Sequence, residues 1–327
     1  VKAIHFLKTG DLKNLTFTEL PTPVPNEGEA LIQIKAARLN KNDLSNVMGR
    51  MPYTTVPRTP GRDYAGVVVQ GPQEWRGQAV WGTGCDNGFT IDGSHAEFMK
   101  APLSALSLKP KNLSFIEAAN CGTPFITAWH ALEQSSVQQD TSMAIIGANG
   151  AVGHAATELA RARGANILAL VRKKEQETSF TSRDISSALL PSADTSTASE
   201  LKHLIHSHFG SGAQVIFDTT GFWLSACITS LAPHGCVAVI VAPGNGEVTL
   251  SVRDLYRSGS SIEGVNSLLY TSAECAKVLD RLRPLFEQGQ LQAAKDIQAH
   301  PLSEGISIFE ALSQGKGGQH VFFNPED

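Results

Sequence analysis

The sequence predicts an α/β protein, in which a doubly wound parallel-sheet domain is combined with an antiparallel, barrel-like domain. Three observations predict it. From about residue 143 onward, short apolar runs of strand length alternate with stretches of helical spacing. Gly147, Gly150 and Gly153 stand between the first of these runs and the first of these helices. Before residue 118, strand-like runs are instead broken by Gly and Pro.

The early runs are residues 30–37, 65–70 and 79–81. Pro21-Thr22-Pro23, Asn26-Glu27-Gly28 and Gly71-Pro72 mark the turns. After Leu113 the pattern changes. The Ser114 hydroxyl is placed to cap a helix through Glu117-Ala118-Ala119, and a second helix is expected over 125–132. Then follow a strand at 143–147, a helix at 151–163 ending on Gly164, and strands at 166–171, 215–218 and 236–241. Residues 174–200 are rich in Ser and Thr and weakly patterned, and read as a connection around a short strand near 188–190. A helix is expected from Ser272 to about Gln288, another at 303–313, and a closing strand at 320–323 that returns to the first domain.

The 327 residues suit one large or two modest domains, and 42% hydrophobic residues suffice for sizeable cores. The net charge of -4 comes from 27 basic and 31 acidic residues, with no run of five basic residues. That balance argues against a nucleic-acid surface. Apolar stretches such as 237–242 are strand-sized, so no membrane partner is expected. The first residues turn polar at Lys8 and show no signal-peptide pattern. Cys85, Cys121, Cys227, Cys236 and Cys275 are scattered and suggest neither a disulfide framework nor a metal cluster. A cytoplasmic setting is the expectation.

The glycine pattern carries the chemistry. Glycine permits a tight turn and a close backbone approach to phosphate, and the following helix offers free N–H groups to an anion. Asn149, Gly150, Ala151 and Val152 are therefore expected to hold the pyrophosphate of a dinucleotide. The next strand ends in Val171-Arg172-Lys173-Lys174. A carboxylate at this place would bind a ribose 2′-hydroxyl, whereas Arg172 and Lys173 suit a 2′-phosphate. The expected cofactor is NADPH.

Further segments resemble the medium-chain dehydrogenase/reductase superfamily, in particular its zinc-independent quinone oxidoreductase-like branch. Pro60-Gly61-Arg62-Asp63-Tyr64-Ala65-Gly66-Val67-Val68 resembles that family's Pro-Gly-x-Asp/Glu-x-Ala-Gly-x-Val. Gly93-Ser94-His95-Ala96-Glu97-Phe98 resembles its Gly-x-Tyr-Ala-Glu-Tyr, with His95 in the aromatic place. Val1-Lys2-Ala3-Ile4, the stretch from Ala118 to Leu132, Phe217-Asp218-Thr219-Thr220-Gly221 and the stretch from Pro301 to Lys316 also match, so nearly the whole chain is covered. The resemblance implies a GroES-like β-barrel-type catalytic domain at 1–118 and 267–327, and a Rossmann domain at 119–266. It also implies a cleft between them and a homodimer joined through the Rossmann domains.

Zinc-dependent members of the superfamily carry Cys-x-x-Asp and Gly-His-Glu. This chain has Asn40-Lys41-Asn42-Asp43 and Gly61-Arg62-Asp63 in their places. Four residues before the matching Thr127, where a third ligand is usual, stands Thr123, with Cys121 two residues off. Neither Asn40 nor Arg62 is a plausible zinc ligand. The four-cysteine lobe is also missing, with only Cys85 in that region. No metal is expected.

Without zinc, a substrate that spreads negative charge by itself is favoured, such as a quinone or an α,β-unsaturated carbonyl. Asn40 and Tyr53 are the candidate catalytic groups, as an amide and a hydroxyl able to reach the reacting centre. Asn40 is also a candidate for cofactor contact. Arg62 either faces the cleft or pairs with a carboxylate. Asp43 and Asp63 match the family pattern. By resemblance, Thr127 lies near the nicotinamide ribose, and Thr219 and Thr220 border the adenine or pyrophosphate. Val241, Ala242, Asn266 and Ser267 flank the nicotinamide, and loops 48–57 and 266–270 line the substrate pocket. The remaining histidines, including His203, His206 and His208, form no catalytic pair.

The leading expectation is an NADPH-dependent quinone or enone reductase acting on a small molecule. An enoyl-thioester reductase and a non-catalytic NADPH-binding regulatory protein remain alternatives.

Overall fold

The computed structural model of the chain describes residues 1–191 and 197–324. It falls into two units, Val1–Ile126 with Ser267–Asp327, and Thr127–Asn266. In chain order the first unit begins with strands β1 (Lys2–Phe6), β2 (Leu15–Glu19) and β3 (Glu29–Arg38), helix α1 (Lys41–Val47), and strands β4 (Asp63–Gln70), β5 (Ala79–Gly82), β6 (Phe98–Pro102) and β7 (Ser107–Leu108). Helix α2 (Phe115–Gln134) carries the boundary between units. The second unit holds β8 (Ser142–Ile146), α3 (Ala151–Ala162), β9 (Asn166–Val171), α4 (Thr178–Thr181), β10 (Ser186–Leu189) and α5 (Thr197–Phe209). It continues with β11 (Ala213–Asp218), α6 (Leu224–Ser230), β12 (Leu231–Val239), α7 (Val252–Ser258) and β13 (Ser261–Gly264). The chain closes in the first unit with α8 (Ser272–Glu287), β14 (Ile297–Pro301), α9 (Gly305–Ser313) and β15 (Gln319–Phe323).

The second unit is the parallel sheet that the alternating pattern predicts. Its strand order is β10-β9-β8-β11-β12-β13, all parallel. Ala144, Ile146, Leu168, Leu170 and Ile216 share a core with Leu201 and Ile205 of α5 and Ala226 and Cys227 of α6. The alternate residues Met143, Ile145, Ala169 and Phe217 are buried as well. Both faces of the sheet are therefore covered, as a parallel sheet requires. The chain runs from β8 outward to β9 and β10, then returns to place β11 on the other side of β8. This reversal opens a crevice at the carboxyl ends of β8 and β11, where doubly wound sheets bind ligands.

The first unit is built on a mixed sheet in which β15 pairs with β3, and β3 with β4 and β6. β1 and β2 form a separate antiparallel pair. One core lies among Ile32, Ile34, Tyr64, Val80 and Met99. Another joins Ile4, Phe6, Val47, Phe309 and Phe322. His95 fills the expected aromatic place with its ring, edge-on to Phe309 at 5.7 Å and Phe322 at 5.0 Å.

Two local expectations change. The helices expected on either side of residue 120 are one continuous α2 with Pro124 inside it. Proline deprives the Asn120 carbonyl of its helical donor. Here Arg38 Nη1 donates to that carbonyl at 3.4 Å, and Thr123 turns its own N–H to Asp63 Oδ2 at 2.9 Å. A distant side chain, Arg38, thus takes over the bond the helix cannot make at Asn120. The Ser/Thr-rich stretch is also more ordered than its composition suggests. It carries a 3-10 turn at Lys174–Glu177, then α4 and β10, and α5 begins within it. Burial of Phe180 and Ile185 and the pairing of β10 with β9 organise it. Residues 192–196 lie outside the described residues.

Candidate functional site

The glycine loop leaves β8 at Ile146 and enters α3 at Ala151. Gly147 has φ +76, and a Cβ there would run into the Thr219 hydroxyl. A Cβ at Gly153 would stand 2.7 Å from the Ala148 Cα. Gly147 therefore needs glycine for its positive φ and the approach of the Thr219 side chain, and Gly153 for the close approach of backbone to backbone. Gly150 is the N-cap of α3 and no side chain caps that helix. Its first N–H groups and positive dipole end are thus available to an anion. Asn149 and Gly150 are exposed, and Ala151 and Val152 are half-buried, along the rim of this cradle. The residues fit a bound pyrophosphate.

Asp218 shapes the wall beside the cradle. Its carboxylate accepts from the N–H and hydroxyl of Thr220 at 2.8 Å each, from Gly221 N at 3.1 Å and from Trp223 N at 3.0 Å. Thr219 donates its hydroxyl to the Ile146 carbonyl at 2.7 Å, tying the turn to the end of β8. Gly221 lies so close to Val241 that a Cβ would stand 2.5 Å from its carbonyl oxygen. Gly221 thus lets Val241 lie against the turn that carries Thr219 and Thr220, and Val241 and Ala242 are exposed.

Beyond this turn lies a groove of about 1120 Å³ within the second unit. Arg172, exposed at the end of β9, lines it together with Thr220 and Phe222. Lys173 is not part of the lining and projects into solvent, and Lys174 pairs with Glu177 at 2.5 Å. Sequence reasoning missed Phe222, Glu200 and His203, which also line the groove. The spacing of Glu200 and His203 on one helical face is a usable signal, since the histidines at 203, 206 and 208 already read as a polar helix end.

In the first unit, Asn40, Arg62, Asp63 and Thr123 form a buried polar cluster. Asn40 caps α1 and is 7% exposed. Its Oδ1 accepts from Arg38 Nε at 2.9 Å, and its Nδ2 donates to Asp63 Oδ2 at 3.0 Å. Its backbone N–H donates to Asp43 Oδ2 at 2.7 Å. Asp43 Oδ1 has no partner, and burial pushes the Asp43 carboxyl up to about 7. The Thr123 hydroxyl donates to Asp63 Oδ1 at 2.6 Å and meets the Thr83 hydroxyl at 3.2 Å. Arg62 is fully buried. It pairs with no carboxylate by hydrogen bond, but donates to the Gly84 carbonyl at 2.9 Å and to the Ser267 hydroxyl and carbonyl at 3.3 Å each. The question the sequence left open is answered by the backbone of two loops.

An amide, a guanidinium and a hydroxyl at these places, each engaged in hydrogen bonds, do not form a zinc ligand set. Among the described residues no group of three or more His, Cys, Asp or Glu side chains stands ready to hold a metal. Cys121 is buried and its thiol is held well above its ordinary range by desolvation. Tyr53 is 42% exposed and packs 5.5 Å from the Phe89 ring, and its hydroxyl reaches only Met51 Sδ at 3.9 Å. Burial raises its pKa. No hydrogen bond joins it to Asn40. Thr127 is buried on α2, Asn266 is exposed, and Ser267 is held by Arg62.

Comparison with known proteins agrees with this architecture. Residues 26–111 match the alcohol dehydrogenase GroES-like domain, and residues 151–283 match the zinc-binding dehydrogenase family. A zinc-type alcohol dehydrogenase-like protein of Schizosaccharomyces pombe is 35% identical over 298 residues, covering 89% of this chain and 86% of its own. The human quinone oxidoreductase is 27% identical over 304 residues, covering 92% and 90%. The crystal structure of the JamJ enoyl reductase, 26% identical, superposes with a TM-score of 0.79 over 99% of each chain. The chain belongs to the medium-chain dehydrogenase/reductase superfamily and is an oxidoreductase of the kind that uses a nicotinamide dinucleotide.

Proposed function

We propose that the protein is a zinc-independent, NADPH-dependent reductase that delivers hydride to a quinone or an α,β-unsaturated carbonyl. The observation that carries this reading is the cluster at Asn40, Arg62 and Thr123. An amide, a guanidinium and a hydroxyl there, each hydrogen-bonded to other protein groups, support a reading in which no metal polarises the substrate. A substrate whose own conjugation spreads the incoming charge matches such a site.

The bound cofactor supplies hydride from its nicotinamide C4. This chain's residues position the reactants. Asn149, Gly150, Ala151 and Val152 hold the pyrophosphate against the open end of α3. The groove beyond Thr220 takes the adenosine, with Phe222 as an apolar face for the base and Arg172 for the 2′-phosphate. Glu200 on the same groove keeps the NADPH preference short of absolute, because a carboxylate suits a ribose hydroxyl. Asn40 donates to the substrate oxygen on which charge develops. Tyr53 gives a hydroxyl as a second candidate donor, and Thr127, Val241, Ala242, Asn266 and Ser267 border the nicotinamide. Lys173 adds diffuse positive charge near the phosphate.

We further propose a homodimer through the second unit, in a cytoplasmic setting. Strand β13 is the outer edge of the sheet, and Val252 and Tyr256 on the neighbouring α7 are each 66% exposed. No helix among the described residues is long and apolar enough to cross a membrane.

The likeness to an enoyl reductase supports a second reading, reduction of an enoyl thioester. The test is NADPH and NADH oxidation by the metal-chelated protein with a panel of quinones, enones and enoyl thioesters. Turnover of quinones or enones with NADPH preferred is expected. Turnover of the thioesters alone favours the second reading. Loss of activity on chelation, restored by zinc, overturns the first.

A further inference from the structure

The turn from Asp218 to Trp223 joins β11 to α6 and supplies Thr220, Phe222 and Trp223 to the groove wall. Both threonine hydroxyls of this turn are engaged within the protein. Thr219 Oγ1 donates to the Ile146 carbonyl at 2.7 Å, and Thr220 Oγ1 donates to Asp218 Oδ1 at 2.8 Å. A hydroxyl has one proton, so neither has one left for a ligand. Thr220 Oγ1 also accepts from the Phe222 N–H at 3.5 Å. The turn instead adds an apolar surface to the groove, Phe222, whose large side chain leaves it 72% exposed. The backbone on either side of Phe222 is held by one carboxylate. Asp218 is fully buried. Its Oδ1 accepts from the N–H groups of Thr220 and Gly221, and its Oδ2 from that of Trp223.

We propose that Asp218 is the positioning residue of the adenosine site, holding Phe222 at the groove as the face on which the base rests. This rests on the cofactor reading above, in which Phe222 meets the base and Arg172 the 2′-phosphate. A ring on a loose loop has to be ordered when the ligand binds, and that cost is subtracted from the stacking energy. A turn already tied at the N–H groups of residues 220, 221 and 223 has little left to order. The two threonines then border the cofactor by shape and do not donate to it. A carboxylate is specifically required, because it has two acceptor oxygens where an amide has one. In Asp218→Asn, an amide oxygen kept for Thr220 and Gly221 leaves the NH2 group facing the Trp223 N–H, donor against donor. The site is buried, so water does not replace the lost acceptor.

The test is a double-mutant cycle on the full chain, read by calorimetry with 2′,5′-ADP, the adenosine end of NADPH. Phe222→Ala is expected to weaken binding about 5–100-fold, the worth of one base–aromatic stack. Asp218→Asn is expected to weaken it about 5–50-fold. The combined variant is expected to bind within about twofold of the weaker single one, since both lose the same face. Losses that multiply overturn the proposal, because a carboxylate that only stabilises the fold acts independently of Phe222. So does a Phe222→Ala or Asp218→Asn protein that binds as the wild type does. If Asp218→Asn does not fold, Thr220→Val takes its place, since it removes the hydroxyl between Asp218 and the Phe222 N–H. It is expected to bind about three- to tenfold more weakly, with Thr220→Ser restoring binding to within about twofold of wild type. Equal binding by Thr220→Val and the wild type overturns the proposal. In turnover with 1,2-naphthoquinone the loss is expected in the KM for NADPH, and a loss confined to kcat overturns it as well. A wild type that binds neither NADPH nor 2′,5′-ADP refutes the cofactor reading and this proposal together. A wild type that binds both yet reduces neither quinones nor enones refutes only the reductase reading, and the binding cycle still decides the role of Asp218.

Discussion

Thr123 gives both its backbone N–H and its hydroxyl to the carboxylate of Asp63, at 2.9 and 2.6 Å, although sixty residues separate the two. Both donors come from the turn of α2 that holds Pro124. Thr123→Val keeps the shape and removes the hydroxyl. It is expected to destabilise the protein by about 1–3 kcal/mol, because Asp63 Oδ1 loses its short donor in a buried place. Asp63→Ala is expected to cost more, about 3–5 kcal/mol, since buried Arg38 then lacks its nearby counter-charge and Asn40 Nδ2 its acceptor. Urea unfolding of the two variants measures the difference, and a larger loss for Thr123→Val would contradict this ordering.

The cofactor preference is assigned to Arg172. Arg172→Ala is expected to weaken NADPH binding about 10–100-fold, the worth of a charge-assisted phosphate contact. NADH binding is expected to change little. Calorimetry with both cofactors checks this. A Lys173→Ala protein serves for comparison, and a smaller effect is expected because Lys173 stands outside the groove.

Gly153 is predicted to tolerate no side chain. Its Cβ would stand 2.7 Å from the Ala148 Cα, a backbone atom that cannot step aside. Gly153→Val is expected to abolish measurable dinucleotide binding while the first unit retains its own melting transition, as differential scanning calorimetry with and without NADPH would record. Binding at wild-type strength would show that the loop relaxes at no cost.

Two buried groups predict opposite pH dependences. Desolvation lowers His95 from 6.5 to about 4, so between these values the unfolded chain binds the extra proton. Its contribution to stability is present above pH 6.5 and is lost as the pH falls through 4. Desolvation raises Asp43 from 3.8 to about 7, so there the folded chain binds the extra proton. Its contribution is present below pH 3.8 and is lost as the pH rises through 7. The two slopes oppose each other between pH 4 and 6.5. His95→Phe is expected to remove the acid-side loss, leaving stability that falls as pH rises. Asp43→Asn is expected to melt higher than the wild type at pH 8 and to lose that advantage by pH 4. Melting temperatures across this range decide both, and parallel curves for the wild type and either variant would refute the corresponding assignment.

The sequence by itself determined the parallel-sheet unit, the glycine cradle and the cationic end of β9. Apolar periodicity and the steric demand for glycine are local, and they act within a few residues of where they are written. The family pattern around Asp63 was legible for the same reason. Tertiary structure alone decided what the polar residues do. Arg38 meets Asn120 across 82 positions and Arg62 meets Ser267 across 205. Neither pairing leaves a trace in local spacing. The continuity of α2 through Pro124 depends on such a long-range pairing, whereas the groove wall from α5 depends on apolar packing of Leu201 and Ile205 against the sheet. A buried polar group takes whichever partner the fold brings to it, because leaving it unpaired costs more than any local preference supplies.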